Sequence, residues 1–87
     1  VSRGSLADAV AHALAGRWDE AHEIAQTHEG EPLADWLHAV LHKIEGDAGN
    51  ARYWYRRADR MEHVGADATA ELAEISATVS SQGRPQA

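Results

Sequence analysis

Apolar residues recur along this chain at helical spacing, in short runs that glycines close. Leu6, Val10 and Leu14 stand four apart and predict a first helix from Leu6 to about Ala15, opened by an approximate capping box of Ser5 and Asp8. Gly16 fits the left-handed position that ends such a helix, so the next helix follows after a tight turn and packs antiparallel to the first. That second helix is expected over Trp18 to Thr27. Trp18, Ala21, Ile24 and Ala25 share one face, and Asp19, Glu20 and Glu23 lie near its start, where the helix dipole favours acids. The run His28 to Pro32, HEGEP, breaks the pattern. A third helix is predicted from about Leu33 to Glu45, closed by Gly46, and a fourth, capped by Asp47 or Asn50, continuing through Met61, with Gly65 ending that segment. Asp67 caps a last helix whose Leu72, Ile75 and Val79 are expected to cover the open end of the stack. The fold class is therefore all-α: two antiparallel helical hairpins plus a C-terminal capping helix. Residues 1–5 read as a flexible lead-in, 6–79 as a single helical domain, and 80–87, SSQGRPQA from Ser80 on, as a disordered tail.

Shifting the chain by thirty residues aligns Ala9 with Ala39, Val10 with Val40, His12 with His42, Gly16 with Gly46 and Ala21 with Ala51. These are positions a helical-hairpin repeat needs: small residues let the paired helices approach, and the glycines close the first helix of each pair. The segments GRWDEA (Gly16 to Ala21) and EGDAGNARYWYRRA (Glu45 to Ala58) resemble the turn and second helix of tetratricopeptide or Sel1-like repeats, with Ala51, Tyr55 and Ala58 at the small, aromatic and small positions of that signature. The stretch His38 to Ala58 is also similar to a family of short, uncharacterised bacterial helical proteins with the pattern HAxLHxxEGDxxNAxYWYRRA. Both resemblances imply a helical-repeat fold and neither implies an activity. Where tetratricopeptide repeats carry apolar or aromatic residues in the first helix of each unit, this chain has Asp8 and His12 in one and His38 and His42 in the other.

Eighty-seven residues allow one modest core and no separate substrate domain. The absence of cysteine excludes disulfides, thiolate metal sites and cysteine nucleophiles. Eight basic against fourteen acidic side chains give a net charge of −6, which opposes generic binding to nucleic acid or to an anionic membrane. No apolar run is long enough for a signal-peptide core or a membrane span, so the expected location is cytoplasmic. Walker, dinucleotide-binding and nucleophile-elbow motifs are missing as well.

The candidate chemistry is histidine chemistry. At 3.6 residues per turn, His38, His42 and Glu45 share one narrow stripe of the third helix. Two histidines four apart can clamp zinc or a similar divalent ion, with a carboxylate as third ligand or general base. The thirty-residue register sets His12 and Asp8 opposite them. Trp36, Leu37, Val40, Leu41 and Ile44 occupy the other side of the same helix, which would leave the histidines partly solvated, whereas the repeat register turns them inward. His22, beside Glu23, reads as a surface residue, and His28 and His63 as helix-end residues. Arg52, Arg56 and Arg60, with Arg57 alongside, form a basic stripe able to hold an anion, or else a solvated face paired with carboxylates. Two functions follow. The first is a small interaction or assembly module, needing no cofactor and engaging a protein partner or a second copy. The alternative is a miniature metal-dependent hydrolase acting on a phosphoester, with His12, His38 and His42 as ligands and Asp8 or Glu45 as base.

Overall fold

The computed structural model describes residues 4–82. Five α-helices, α1 (Leu6–Leu14), α2 (Trp18–Thr27), α3 (Pro32–Ile44), α4 (Ala48–Ala58) and α5 (Ala68–Gln82), and a 3-10 turn at Met61–His63 make the chain all-α, with no strand among the described residues.

Local sequence sets the helix ends. Ser5 and Asp8 close a reciprocal capping box, Ser5 Oγ accepting from the Asp8 amide at 3.2 Å and Asp8 Oδ2 from the Ser5 amide at 3.0 Å. Pro32 opens α3, where its missing N–H costs nothing, and Asp47 and Asp67 cap α4 and α5 by accepting from Asn50 N at 3.3 Å and Ala70 N at 2.9 Å. The α1–α2 and α3–α4 turns have the same construction. Gly16 and Gly46 sit at φ +82° and +85°, and the amide after each glycine, of Arg17 or Asp47, returns to the carbonyl of His12 or His42 at 2.8 and 2.9 Å. The aligned pairs are also buried alike: Ala9 and Ala39, Val10 and Val40, Ala21 and Ala51 are all interior.

The fourth helix is shorter than its sequence suggests. It stops at Ala58 because Asp59 adopts φ 59°, ψ 46°, the left-handed conformation that usually falls to glycine, and Arg60 N then bonds back to Tyr55 O at 2.9 Å. Arg60 and Met61 therefore leave the helical stripe. At the other end of the chain, α5 runs on through residues 80–82, past the expected boundary; residues 83–87, like 1–3, lie outside the described residues.

Helix α3 is the centre of the molecule. It packs on α1, α2, α4 and α5, and every residue from Leu33 to Leu41 is buried, so it has no solvent face. The C-terminal helix α5 lies along α1 and α3, burying Leu72 and Ile75 with Val79 half-covered as a capping helix should, and its Glu71 reaches Tyr55 of α4, which packs on α3 and the 3-10 turn. One buried ionic group fixes α5 there. Glu71, 2% exposed, accepts from Trp36 Nε1 at 3.0 Å, from Tyr55 OH at 2.7 Å and from the Lys43 ammonium, which also donates to the carbonyls of His63 and Ala66 at 3.1 and 2.7 Å. Burial, with the Glu71 carboxylate beside it, pushes the Tyr55 hydroxyl well above its ordinary pKa.

Candidate metal centre

Because α3 is enclosed, both of its histidines are carried inward. His38 is 3% exposed and the His42 side chain 13%. His22 reaches them from α2, where it borders the Trp18, Ala21, Ala25 stripe that faces the core. The Nε2 atoms of His22 and His38 are 2.7 Å apart. The His38 and His42 rings stack at 4.9 Å, and the His22 ring stands edge-on to both, at 4.5 and 5.0 Å. Each histidine offers a nitrogen within 4.8 Å of the other two, and among the described residues no other trio of His or carboxylate groups converges in this way.

Two further contacts frame the trio. The Trp54 indole lies flat on the His38 ring at 3.8 Å, with the Arg57 guanidinium 4.9 Å from the indole centroid. Glu45 Oε1 and Asp47 Oδ2 approach His42 Nδ1 at 3.7 and 3.8 Å, just outside hydrogen-bond range. The Nδ1 atoms of His38 and His42 are buried without a hydrogen-bond partner. Burial first, and then the neighbouring His22, His42 and Arg57, lowers the His38 pKa to about 3. Burial and His22 also lower that of His42, against the opposing pull of Glu45 and Asp47. Both imidazoles on α3 are therefore neutral at pH 7, the form in which histidine binds metal.

Protein-family models, curated proteins and solved structures give no match to this chain. The geometry alone must speak for function.

The sequence-derived candidates divide sharply. His38 and His42 come together, and Glu45 stands next to them. His12 does not join the cluster: its Nδ1 accepts from Arg17 Nε at 2.8 Å. Asp8 is engaged in the cap of α1. The third member is His22, which its acidic neighbours had suggested was a surface residue. Its signal was present in the pattern, since positions 18, 21, 22 and 25 form one helical stripe. Arg52 and Arg56 are exposed on the outer side of α4, whereas Arg60 turns back and lies 4.8 Å from the Trp36 ring. The arginines do not meet the carboxylates that would make them a paired, solvated row. Among the described residues none of Arg52, Arg56, Arg57 or Arg60 has a carboxylate within ion-pair distance.

The trio lies close enough for a divalent ion once its spacings even out: the ligand atoms spread over as much as 4.8 Å, so the wider spacing must close while the shortest opens. Two nitrogens bound tetrahedrally at 2.0–2.1 Å stand roughly 3.3 Å apart, so the 2.7 Å pair must open by about 0.6 Å. His22, half-buried at the rim of α2, is the residue free to draw back.

Proposed function

We propose that this protein is a small helical metal-binding module that holds a zinc-class divalent ion on His22, His38 and His42. The observation that carries this reading is the convergence of three imidazoles, two of them interior and neutral, at a joint between two helices. Gathering three histidines at this joint, two of them interior, sacrifices packing that Leu or Val would supply. A metal bond explains the cluster where packing does not. The Glu45 and Asp47 carboxylates near His42 Nδ1 would offset part of the ion's charge, and a small closure would let one of them accept from that ring. Borderline-soft imidazole donors favour zinc, nickel or copper over magnesium or calcium.

Hydrolysis is not the reading this geometry favours. Asp8 is committed to the cap of α1 and His12 to Arg17, so neither joins the three histidines.

The test is metal analysis of protein purified without a histidine tag, followed by calorimetric titration of the metal-free protein with zinc. One ion per chain is expected, with affinity reduced at least a hundredfold in both His22→Ala and His42→Ala. His22→Ala reports on the site without opening the core. Zinc binding that is unchanged in His22→Ala would refute the site.

A further inference from the structure

The buried polar group that the histidine site does not use lies beneath α5. Tyr55 is wholly buried, and its hydroxyl donates to both oxygens of the Glu71 carboxylate, at 2.7 and 2.9 Å. The Trp36 indole N–H donates to the first of these oxygens at 3.0 Å. Two oxidisable rings therefore meet at one oxygen atom. A third, Trp54, precedes Tyr55 in α4 and is buried as well.

The neighbouring charges decide which of these rings keeps an electron hole. The Arg60 guanidinium lies 4.8 Å from the Trp36 ring and that of Arg57 4.9 Å from the Trp54 ring, so a positive charge left on either indole is repelled. The Lys43 ammonium, 5.2 Å from the Tyr55 ring, repels a cation there too. Tyr55 escapes that penalty by losing its proton together with its electron. A phenol radical cation is a stronger acid than any carboxylic acid, and an acceptor already hydrogen-bonded at 2.7 Å receives the proton without a rearrangement. An oxidised indole is a weaker acid, and the Trp36 N–H stands farther from the same oxygen. The second tyrosine is the contrast. Tyr53 is 47% exposed, and its hydroxyl accepts from Arg57 Nη1 at 3.2 Å, a cation where Tyr55 has a base.

We infer that Tyr55 is a redox-active residue, the end point of one-electron oxidation of this core, with Glu71 as its proton acceptor. The step balances within the cluster. An outer-sphere one-electron oxidant takes an electron from Trp36 or Trp54 and is itself reduced. The indole is refilled by an electron from Tyr55, whose proton crosses to Glu71. The products are a neutral tyrosyl radical, a protonated Glu71 and an intact tryptophan. Oxidation is thereby drawn away from Trp54, and so from the His38 ring stacked on it at 3.8 Å. The inference does not depend on a bound metal.

Flash photolysis of the metal-free chain tests it, with a ruthenium tris-bipyridyl complex as oxidant and a sacrificial electron acceptor to generate it. Transient absorption is expected to show a tryptophanyl radical decaying into a tyrosyl radical. Electron paramagnetic resonance of samples frozen at that stage is expected to show the tyrosyl radical neutral. Tyr53→Phe is expected to keep the tyrosyl signal, and Tyr55→Phe to lose it and leave the oxidation on tryptophan. Lys43→Met with Glu71→Leu removes the base without stranding a charge. It is expected to slow the tryptophan-to-tyrosine step on the order of a hundredfold, the contribution of a positioned base. Oxidation that stays on tryptophan in the parent chain overturns the inference. So does a tyrosyl signal that is lost with Tyr53 and retained without Tyr55, or a step equally fast in the double variant.

Discussion

At the scale of single residues, the molecule places two unlike polar groups in one apolar core, and their energetics oppose each other. Glu71 is fully partnered by Trp36, Tyr55 and Lys43, so removing one partner strands a charge. Lys43→Met is expected to destabilise the fold by about 3 kcal/mol, measured by urea denaturation, because the buried carboxylate loses the one cation that pairs with it among the described residues. Lys43→Met combined with Glu71→Leu should recover part of that loss. His38 is the reverse case, stable only while uncharged. Facing it are His22 from α2, His42 on its own helix, and Arg57 beyond the Trp54 ring of α4, all of which disfavour a second positive charge. Its folded pKa lies below the ordinary value of 6.5, so the unfolded chain takes up the proton first. Its contribution is therefore complete above about pH 6.5 and is lost as the pH falls toward 3. Thermal melts between pH 7.5 and 4 should show this decline, and His38→Leu should reduce it, leaving the part that His42 contributes.

At the scale of helices and turns, much of the architecture was written in local chemistry. The Ser5–Asp8 box, the Asp47 and Asp67 caps and the two closing glycines set helix ends where the apolar spacing places them. Gly16 and Gly46 make a matched pair. A methyl group at either would meet nothing closer than 4.0 Å, so substitution by Ala isolates the backbone cost. Each is expected to lower stability by about 1–2 kcal/mol, read from chemical denaturation. What local chemistry concealed were events set by distant neighbours. Asp59 ends α4 in a conformation its side chain only tolerates, so nothing in the sequence marked the stop. His22 looked solvated because its neighbours Asp19, Glu20 and Glu23 are acidic, yet burial in α2 depends on where α3 lies. A shift of thirty residues aligns His12 with His42, but His12 is taken by Arg17 whereas His42 meets His22 of α2.

At the scale of the whole molecule, the histidine site lies on a seam. The first hairpin meets the rest of the chain through α2 against α3 and through α1 against α5 and α3. An ion held by His22 on one side and by His38 and His42 on the other would tie that seam, and binding only the folded state stabilises it. Zinc at a hundred times its dissociation constant adds about 2.7 kcal/mol, a rise of roughly 10–20 °C in Tm for a domain of this length. A chelator should reverse it. Glu45→Gln with Asp47→Asn, which removes the carboxylates near His42, is expected to lower zinc affinity about tenfold and to leave the metal-free Tm within a few degrees of the parent.

The stacking of Trp54 on His38 gives the protein an optical consequence. An indole 3.8 Å from an imidazole shares its electronic surroundings, so whatever binds that imidazole alters the indole's excited state. The other two tryptophans stand elsewhere, Trp36 on Glu71 and Trp18 beside the first turn. With those two changed to Phe, the fluorescence of the chain would come almost wholly from one ring, and its quenching by copper or nickel would count ions as they arrive.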